Sequence, residues 1–302
     1  MFKKTLLARK IVFIVCTTIV ICSLSSCTDK KSPQSVNEAT PKNQATPIQS
    51  TSTPATETKV ENAWKLVWND EFDGKNGSPI DKSKWVSEIG NNSGWGNAEY
   101  EYYTDSLKNC YQENGNLVIK AIKEKKDNFE YTSARVKTQG IYEFTYGKVE
   151  IRAKLPQGDG IWPAFWMLGT NITTTGWPNC GEIDVMEHIG KTPDNIYGTL
   201  HGPGYSGSSG LGSATISKTS LYNDFHTYTV EWNQEGIKWF FDGTEYHKVI
   251  KKYIDDEKWP FDDKFFILIN LAVGGYWPGY PSETTQFPQS YTIDYVRVYQ
   301  SK

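Results

Sequence analysis

The sequence predicts an all-β fold, a sandwich of two β-sheets, over residues 63–302. Short segments of alternating apolar and polar residues recur along this span, and turn residues separate them. No segment shows the 3.6-residue period of an amphipathic helix, and all eleven tryptophans lie after residue 63. Many short strands over a span of this size favour a two-sheet sandwich over a propeller or a solenoid.

Four stretches of the sequence support this prediction in chain order. Residues 149–155 alternate apolar with charged side chains, the pattern of a half-buried strand. Residues 227–233 and 237–241 flank a Gln-Glu-Gly turn, which predicts a hairpin. Phe265–Val273 is almost entirely apolar, so we expect a central strand that is buried on both faces. Residues 291–299 alternate again and predict a C-terminal strand.

The first 62 residues lack these features and predict an exported, tethered protein. Residues 1–10 are basic and residues 11–22 form an apolar run too short to span a bilayer, so we expect residues 1–26 to be a secretory signal peptide. Residues 27–62 hold no aromatic side chain and are dominated by small and polar residues, which predicts a disordered linker. The folded domain would then occupy residues 63–302.

Charge and cysteine content narrow the class of protein further. The formal net charge is −3 at pH 7, and loss of the signal peptide removes four basic residues and no acids. Because the exported chain is acidic, we expect neither nucleic acid nor anionic lipid headgroups as partners. Separately, we expect a monomer. Cys110 and Cys180 are open to two interpretations, a disulfide or two buried small residues. No cysteine and histidine cluster indicates zinc.

The stretch GEIDVMEH at 181–188 places three carboxylates in a segment that otherwise predicts a buried strand. Side chains alternate in a regular strand, so Glu182 and Asp184 share one face and Glu187 would point to the other. A one-residue bulge at 185–186 would bring all three acids to one face. The two glutamates would then be roughly 13 Å apart at Cα, and their carboxyls could approach to about 5 Å.

Such a carboxyl separation is typical of a retaining glycosidase. One carboxylate attacks the anomeric carbon, and the other protonates the leaving oxygen and later activates water. Three close acids cannot all ionise freely, so we expect at least one raised pKa. Spacing alone does not assign the roles of Glu182 and Glu187. As an alternative, the acids could bind a metal such as calcium or line a solvated edge strand.

Seven motifs are distributed over the predicted domain: LVWNDEFDG at 66–74, WGNAEYEYYT at 95–104, YTSARVKTQG at 131–140, YGKVEIRAKLPQGDGIWPAFWMLG at 146–169, WPNCGEIDVMEHIG at 177–190, TLHG at 199–202 and IDYVRVY at 293–299. Together they resemble glycoside hydrolase family 16, in its laminarinase or endo-β-1,3-glucanase branch. The resemblance implies a β-jelly roll of the concanavalin-like type and hydrolysis with retention. It also implies that Glu182 is the nucleophile, Glu187 the general acid/base and Asp184 the neighbour that tunes the nucleophile, with no cofactor for catalysis.

The substrate implied by this resemblance is a β-1,3-glucan such as laminarin, with or without mixed β-1,3-1,4 linkages, cleaved within the chain. Two other functions stay open on the same fold. A non-catalytic carbohydrate-binding module has no need of two glutamates with shifted pKa values. A transglycosylase shares the covalent intermediate with a hydrolase and differs only in passing the sugar to another sugar instead of water.

Candidate substrate-binding residues follow from sugar chemistry and from the same resemblance. Sugar rings present apolar faces between hydroxyls, so a saccharide site needs flat aromatics and polar groups that grip neighbouring hydroxyls. The resemblance implies seven such residues: Asn97, Glu99, Arg135, Trp162, Trp166, Trp177 and His201. Glu99 is alternatively a supporting partner of these residues, and His188 is either structural or in contact with substrate.

Two further sites are implied by resemblance. A structural calcium ion would be held by Glu71, the carbonyl of Gly115 and Asp294, away from the substrate. Leu24-Ser25-Ser26-Cys27 resembles the end of a bacterial lipoprotein signal peptide, which implies a lipid on Cys27 as the only membrane contact. We therefore expect a lipoprotein on the membrane or cell surface; without the lipid, the protein would be secreted.

Overall fold

The computed structural model describes residues 64–302, so the predicted signal peptide, the linker and Cys27 lie outside the described residues. The described part consists of seventeen strands and a few single turns of helix. The strands are β1 (Trp64–Asp70), β2 (Val86–Glu88), β3 (Glu101–Tyr103), β4 (Cys110–Glu113), β5 (Asn116–Ala121), β6 (Tyr131–Ser133), β7 (Arg135–Lys137), β8 (Gly147–Lys154), β9 (Ile161–Gly169), β10 (Glu182–Glu187), β11 (Asn195–His201), β12 (Leu211–Ile216), β13 (His226–Asn233), β14 (Gly236–Phe241), β15 (Thr244–Ile250), β16 (Phe265–Val273) and β17 (Gln289–Ser301).

Most strands form two antiparallel sheets. Sheet I has the order β15-β14-β13-β8-β17-β5-β4, with β1 also paired to β17. Sheet II has the order β12-β11-β10-β9-β16-β7-β2. The short strands β3 and β6 form a separate parallel pair. The predicted two-sheet sandwich is confirmed. Within residues 64–302 no long helix connects the strands, as expected for antiparallel sheets.

A single large hydrophobic core joins the inner faces of the two sheets. Strand β8 alternates strictly between buried and half-buried residues, as its sequence pattern predicts. Strand β16 is buried at all nine positions, which confirms the prediction of a central strand covered on both faces. Its odd-numbered residues belong to the core between the sheets, so its even-numbered residues face the opposite side, where polar side chains gather.

Helical structure is minor in the described residues. The one α-helix, α1, spans only Ile172–Thr175, and three 3₁₀ turns lie at Gly207–Ser209, Lys251–Tyr253 and Asp256–Lys258. Within residues 64–302, none of these helices has the length and apolar character needed to cross a membrane. This content agrees with the absence of a helical period in the sequence.

Candidate active site

Strand β10, which carries the three acids, begins directly after a glycine that no other residue could replace easily. Gly181 has a φ of 79°, in the left-handed region, and a Cβ there would lie 2.7 Å from Pro260 and 2.9 Å from Phe265. The chain can therefore turn closely against the core just before Glu182. This turn sets the point at which the strand enters sheet II.

Strand β10 contains the predicted one-residue bulge. Asp184 pairs with Trp166 of β9, whereas Glu187 pairs with Ala164, so three steps on β10 match two steps on β9. The register against β11 shifts in the same interval. Because the extra residue restores parity, Glu182, Asp184 and Glu187 all lie on the outer face of sheet II, which we call the site face.

A tryptophan from the opposite sheet supports the bulge. Trp239 of β14 donates its indole N–H to the main-chain carbonyl of Asp184 at 2.7 Å, and this contact is buried. A bulge disrupts the ladder locally, so this carbonyl gains a partner from outside the ladder. Gly198 on β11 makes room for the indole, since a Cβ there would lie 2.4 Å from Trp239. Sheet I therefore holds the backbone at the centre of the site.

Glu182 and Asp184 share their surroundings with two predicted site residues. Trp177 donates its indole N–H to Glu182 Oε2 at 2.9 Å. His201 Nε2 lies 3.1 Å from Asp184 Oδ2 and 3.8 Å from Glu182 Oε1. Ligand atoms of Glu182, Asp184 and His201 all lie within 4.8 Å of one another, which is also close enough for one metal ion.

Glu187, at the other end of the bulge, has a different aromatic partner. Trp162 donates its indole N–H to Glu187 Oε1 at 3.2 Å. Trp162 also packs edge-on against Trp277, which in turn packs edge-on against Tyr197 of β11. Glu182 and Glu187 thus each accept one indole N–H, from tryptophans on opposite sides of the bulge.

Burial shifts the titration of all three acids. It raises the pKa of Glu182 to about 8, with the nearby Asp184 adding to the shift. Burial likewise raises the pKa of Asp184 to about 8. The pKa of Glu187 is raised well above its usual range by burial and then by Asp184. The group therefore holds protons at neutral pH, as a general acid requires.

Arg135 forms a second part of the site face, next to the acids. Its guanidinium lies 4.3 Å from the ring centre of Trp95 and 4.9 Å from that of Trp166. Its Nε donates to Glu88 Oε2 at 2.5 Å. Trp166 neighbours Asp184 across the β9 and β10 pairing. A charged plane and two aromatic rings are thus stacked beside the acids, as a sugar-binding surface requires.

Asn97 and Glu99 lie in the loop before β3 and contact each other. Asn97 Nδ2 donates to Glu99 Oε1 at 3.0 Å. Asn97 is half-buried, whereas Glu99 is only 6% exposed. Glu99 is therefore better placed to support its neighbours than to touch substrate, which is the second of its two predicted roles.

Four residues of the site were not among the sequence-based candidates. Trp95 stacks on Arg135, Glu88 pairs with Arg135, and Trp277 and Tyr197 pack beside Trp162. Trp95 stands in the motif WGNAEYEYYT, which could have indicated it. Glu88 carries no such signal, because its role depends on β2 pairing with β7.

The structure decides between the two interpretations of His188 and between the two interpretations of Cys110 and Cys180. His188 is 1% exposed, and its Nδ1 lies 2.8 Å from the carbonyl of Asn195, so it is structural. Cys110 and Cys180 are both buried free thiols, so they form no disulfide. Burial raises the pKa of Cys110 to about 12 and that of Cys180 to about 11, which makes both unreactive.

The predicted calcium ligands lie on or directly beside sheet I: Glu71 follows β1, Gly115 is in the turn between β4 and β5, and Asp294 is in β17. The carboxylate of Glu71 accepts two hydrogen bonds from Arg297, at 2.9 and 2.7 Å, and that of Asp294 is paired with Arg152. Two arginine-neutralised carboxylates are weaker ligands for a hard cation than free ones. The side-chain arrangement does not favour a calcium ion here, and the site stays a prediction.

The fold and the site together define a class of protein. A two-sheet β-sandwich presents two indole-bonded glutamates with raised pKa values on one face, beside a stacked aromatic surface. Residues 97–297 match the family described as "Glycosyl hydrolases family 16", and the chain belongs to this family. Residues 5–183 also match a family described as "Beta-glucan synthesis-associated protein SKN1/KRE6/Sbg1".

Individual relatives extend this similarity over most of the chain. A β-glucanase of Rhodothermus marinus is 43% identical over 246 residues, which is 78% of this chain and 85% of the relative. The laminarinase catalytic domain from Thermotoga maritima MSB8 is 50% identical, with a TM-score of 0.75 over 79% of this chain and 99% of that domain. An endo-β-1,3-glucanase from Pyrococcus furiosus is also 50% identical, with a TM-score of 0.75 over 79% and 95% of the two chains.

Proposed function

We propose that this chain is an endo-acting, retaining hydrolase of β-1,3-glucosidic bonds in laminarin-type glucans, with or without mixed β-1,3-1,4 linkages. The observation that carries the proposal is the β10 bulge, which brings Glu182 and Glu187 to one face with Asp184 between them. The relatives named as laminarinase and endo-β-1,3-glucanase support the linkage. A binding module would have no use for a pair of glutamates that hold protons at neutral pH.

In the first step, Glu182 attacks the anomeric carbon while Glu187 gives its proton to the leaving oxygen. The bond from carbon to the glycosidic oxygen breaks, and a glycosyl ester forms on Glu182. The Trp177 N–H donates to Glu182 and favours its ionised form, which is the form that attacks. Glu187 has a strongly raised pKa and is suited to carry the proton.

In the second step, the roles of the two glutamates change. Glu187 is now a carboxylate and takes a proton from water as the water oxygen attacks the anomeric carbon. The ester bond to Glu182 breaks, and the sugar leaves with its original configuration. His201, 3.1 Å from Asp184, holds that carboxyl in place beside the nucleophile through both steps.

The test is reducing-sugar release by the full chain from laminarin, from mixed-linkage β-glucan and from cellulose, with Glu182→Gln as the control. We expect reducing-sugar release from laminarin, and we expect it to disappear in Glu182→Gln. The ratio of the rates on laminarin and on mixed-linkage β-glucan measures the linkage preference. Laminarin binding without release from any substrate would instead indicate a binding module.

Transglycosylation is the second candidate, and one observation favours it. The match over residues 5–183 is to a family described as associated with β-glucan synthesis. Both reactions pass through the same ester on Glu182, so the acceptor decides between them. Product length at high acceptor concentration is the measurement: products longer than the substrate would identify a transglycosylase, and only shorter products a hydrolase.

The location of the protein is part of the proposal. Export by residues 1–26 and a lipid on Cys27 would hold the domain at a membrane or cell surface, with residues 27–62 as the tether. The basic and apolar runs before Cys27 support this. The Cys27→Ala protein should leave the membrane fraction, and its retention there would rule out Cys27 as the anchor.

A further inference from the structure

A second pair of acids lies outside the catalytic constellation. Glu99 and Glu101 precede and begin strand β3, and in extended backbone alternate residues point to the same side. Glu99, Glu101 and Tyr103 therefore share one side of this segment, and their exposed fractions are 6%, 0% and 0%. The mechanism proposed above does not use either acid.

The two carboxyls are close enough for the charge of Glu99 to raise the pKa of Glu101, and Glu101 Oε1 is buried without a hydrogen-bond partner. Glu101 Oε2 accepts the Val273 N–H at 2.6 Å. The oxygens of Glu99 accept from Asn97 Nδ2 at 3.0 Å and from the Tyr103 hydroxyl at 3.2 Å. Two ionised carboxylates have only acceptors, so two neighbouring buried carboxyls repel each other unless one of them holds a proton. Burial and proximity therefore favour an acid and a carboxylate that share one proton over two ionised carboxylates.

The charges around the pair agree with this state. No lysine or arginine within residues 64–302 forms an ion pair with Glu99 or Glu101. Arg135 is the nearby cation that acts on Glu99, and its guanidinium is committed to Glu88. Burial and then the Glu99 charge raise the pKa of Glu101 well above its usual range, and burial raises that of Glu99. Tyr103 is the other titratable neighbour, and burial raises its pKa well above the usual value.

A chain of hydrogen bonds connects the pair to the site face. The Tyr103 hydroxyl, which donates to Glu99, accepts from Asn270 Nδ2 at 3.1 Å. Asn270 Oδ1 accepts the indole N–H of Trp166 at 2.8 Å. Trp166 is the ring that stacks on Arg135 and pairs in register with Asp184. At the other end of the pair, Glu99 holds Asn97.

We propose that Glu99 and Glu101 are a proton-sharing positioning pair, which orients Asn97 and Trp166 for binding of the glucan chain. The inference rests on the proposed function, because the glucan is the ligand that these two side chains would meet. Loss of the shared proton leaves two negative charges in a site without an ion-pair partner. The carboxyls then repel each other, and the hydrogen bonds to Asn97 and Tyr103 change.

The test compares the pH dependence of KM and kcat of the full chain on laminarin with that of Glu101→Gln. Gln has the same shape and a permanent donor, so it replaces the shared proton with one that cannot be lost. We expect the wild-type KM to rise about fivefold at alkaline pH, the equivalent of one net hydrogen bond, and the KM of Glu101→Gln to stay level. The alkaline fall of kcat, which belongs to Glu187, should be the same in both.

Stability provides an independent readout of the same proton. Glu101 keeps its proton in the folded state, whereas in the unfolded state it releases the proton above its pKa of 4.5. The contribution of this proton to wild-type stability therefore declines as pH rises from 4.5 toward the raised pKa of folded Glu101. Glu101→Gln has no such proton, and its Tm relative to wild type should increase with pH. Glu113→Gln, a change at an exposed position of β4, is the matched control and should alter neither profile.

Infrared spectroscopy separates this inference from the proposed function. If the wild-type protein hydrolyses no glucan, the proposed function is overturned. The infrared carbonyl band of protonated carboxyls can still be compared between the wild-type protein and Glu101→Gln at neutral pH. Loss of band intensity in the variant supports the shared proton, and identical bands overturn it. In an active enzyme, superimposable KM profiles for the two proteins overturn the positioning role even if Glu101→Gln lowers Tm.

Discussion

The pKa values of acidic side chains are shifted in opposite directions at sheet I and on the site face of sheet II. On sheet I, Glu71 accepts two hydrogen bonds from Arg297, and these hold its pKa below the usual value. On the site face, burial raises the pKa values of Glu182 and Glu187, and neither acid has a lysine or arginine partner among the described residues. Acids of the first kind are fixed charges, whereas acids of the second kind can exchange protons.

The same contrast exists within one row of sheet II. The registers place Glu187, Ala164, Asn270, Arg135 and Glu88 side by side across five strands. Burial acts to raise the pKa of Glu88, but Arg135 and then Lys137 outweigh it, so the pKa is lowered. Glu187 is half-buried in the same row without such partners, and burial raises its pKa. Pairing, more than burial alone, decides which acid can transfer a proton.

The largest expected effect comes from removing the carboxylate of Glu182. Glu182→Gly should lower turnover of laminarin by about 10⁴-fold or more, because no covalent intermediate can form. Azide should restore activity by entering the space of the carboxylate and should give a glycosyl azide of inverted configuration. Product configuration by NMR is the measurement. Retained activity without azide, or a product of retained configuration, would contradict the assignment of Glu182 as nucleophile.

Removal of the Glu187 carboxyl should cost less and should depend on the leaving group. Glu187→Ala should lower kcat on laminarin by about 10²- to 10⁴-fold, since the leaving oxygen is no longer protonated. For a substrate with an acidic phenol as leaving group, kcat should fall far less. Azide should give a product of retained configuration with this variant.

The pH profile sharpens the assignment of Glu187. The acid must be protonated in the first step, so wild-type activity should fall as pH rises through the raised pKa of Glu187. This fall in activity at alkaline pH should be absent when Glu187→Ala hydrolyses the substrate with the acidic phenol leaving group. A fall that persists in the variant would assign the proton to another group.

The cross-sheet contact to the bulge predicts a smaller effect, on both stability and activity. Trp239→Phe leaves the buried carbonyl of Asp184 without its 2.7 Å donor, at a cost of about 1–3 kcal/mol. The bulge should also shift, and kcat should fall by about tenfold or more. Trp232→Phe is the matched control, because Trp232 donates to the carbonyl of Phe261 at 2.8 Å in an equally buried place. Denaturant unfolding and kcat of both variants are the measurements, and equal kcat values would contradict the role of Trp239.

Much of the fold and the central acids could be predicted because the signals are local. Alternation predicted strand β8, the apolar run predicted β16, and parity predicted that a bulge at 185–186 would bring the three acids to one face. Each of these follows from residues that are neighbours in sequence. Resemblance then supplied the aromatic and polar partners, of which Trp162, Trp177 and His201 do meet the acids.

The features that could not be predicted depend on residues far apart in the chain. Trp239 and Asp184 are 55 positions apart, and Asn270 and Tyr103 are 167 apart. Which side chains meet across strands is set by sheet order and register, and neither can be read from an alternating pattern. For the same reason no sequence pattern singles out Glu88, whose contact with Arg135 depends on the pairing of β2 with β7.

The smallest effect is expected on sheet I, where the carboxylate of Glu71 is already neutralised. Glu71→Gln should lower the free energy of unfolding by no more than about 1 kcal/mol at neutral pH and should leave kcat unchanged. Because the folded pKa of Glu71 is lowered, this stabilisation is present above the unfolded pKa and is lost as pH falls through the folded one. Urea unfolding of wild type and variant across this acid range is the measurement, and a difference that persists at the lowest pH would contradict the ion pair as its source.

The same two proteins also test the predicted calcium ion: if Glu71 is a ligand, a chelator lowers the Tm of the wild type and not that of Glu71→Gln. An unchanged wild-type Tm on chelation would leave Arg297 as the only partner that the Glu71 carboxylate needs.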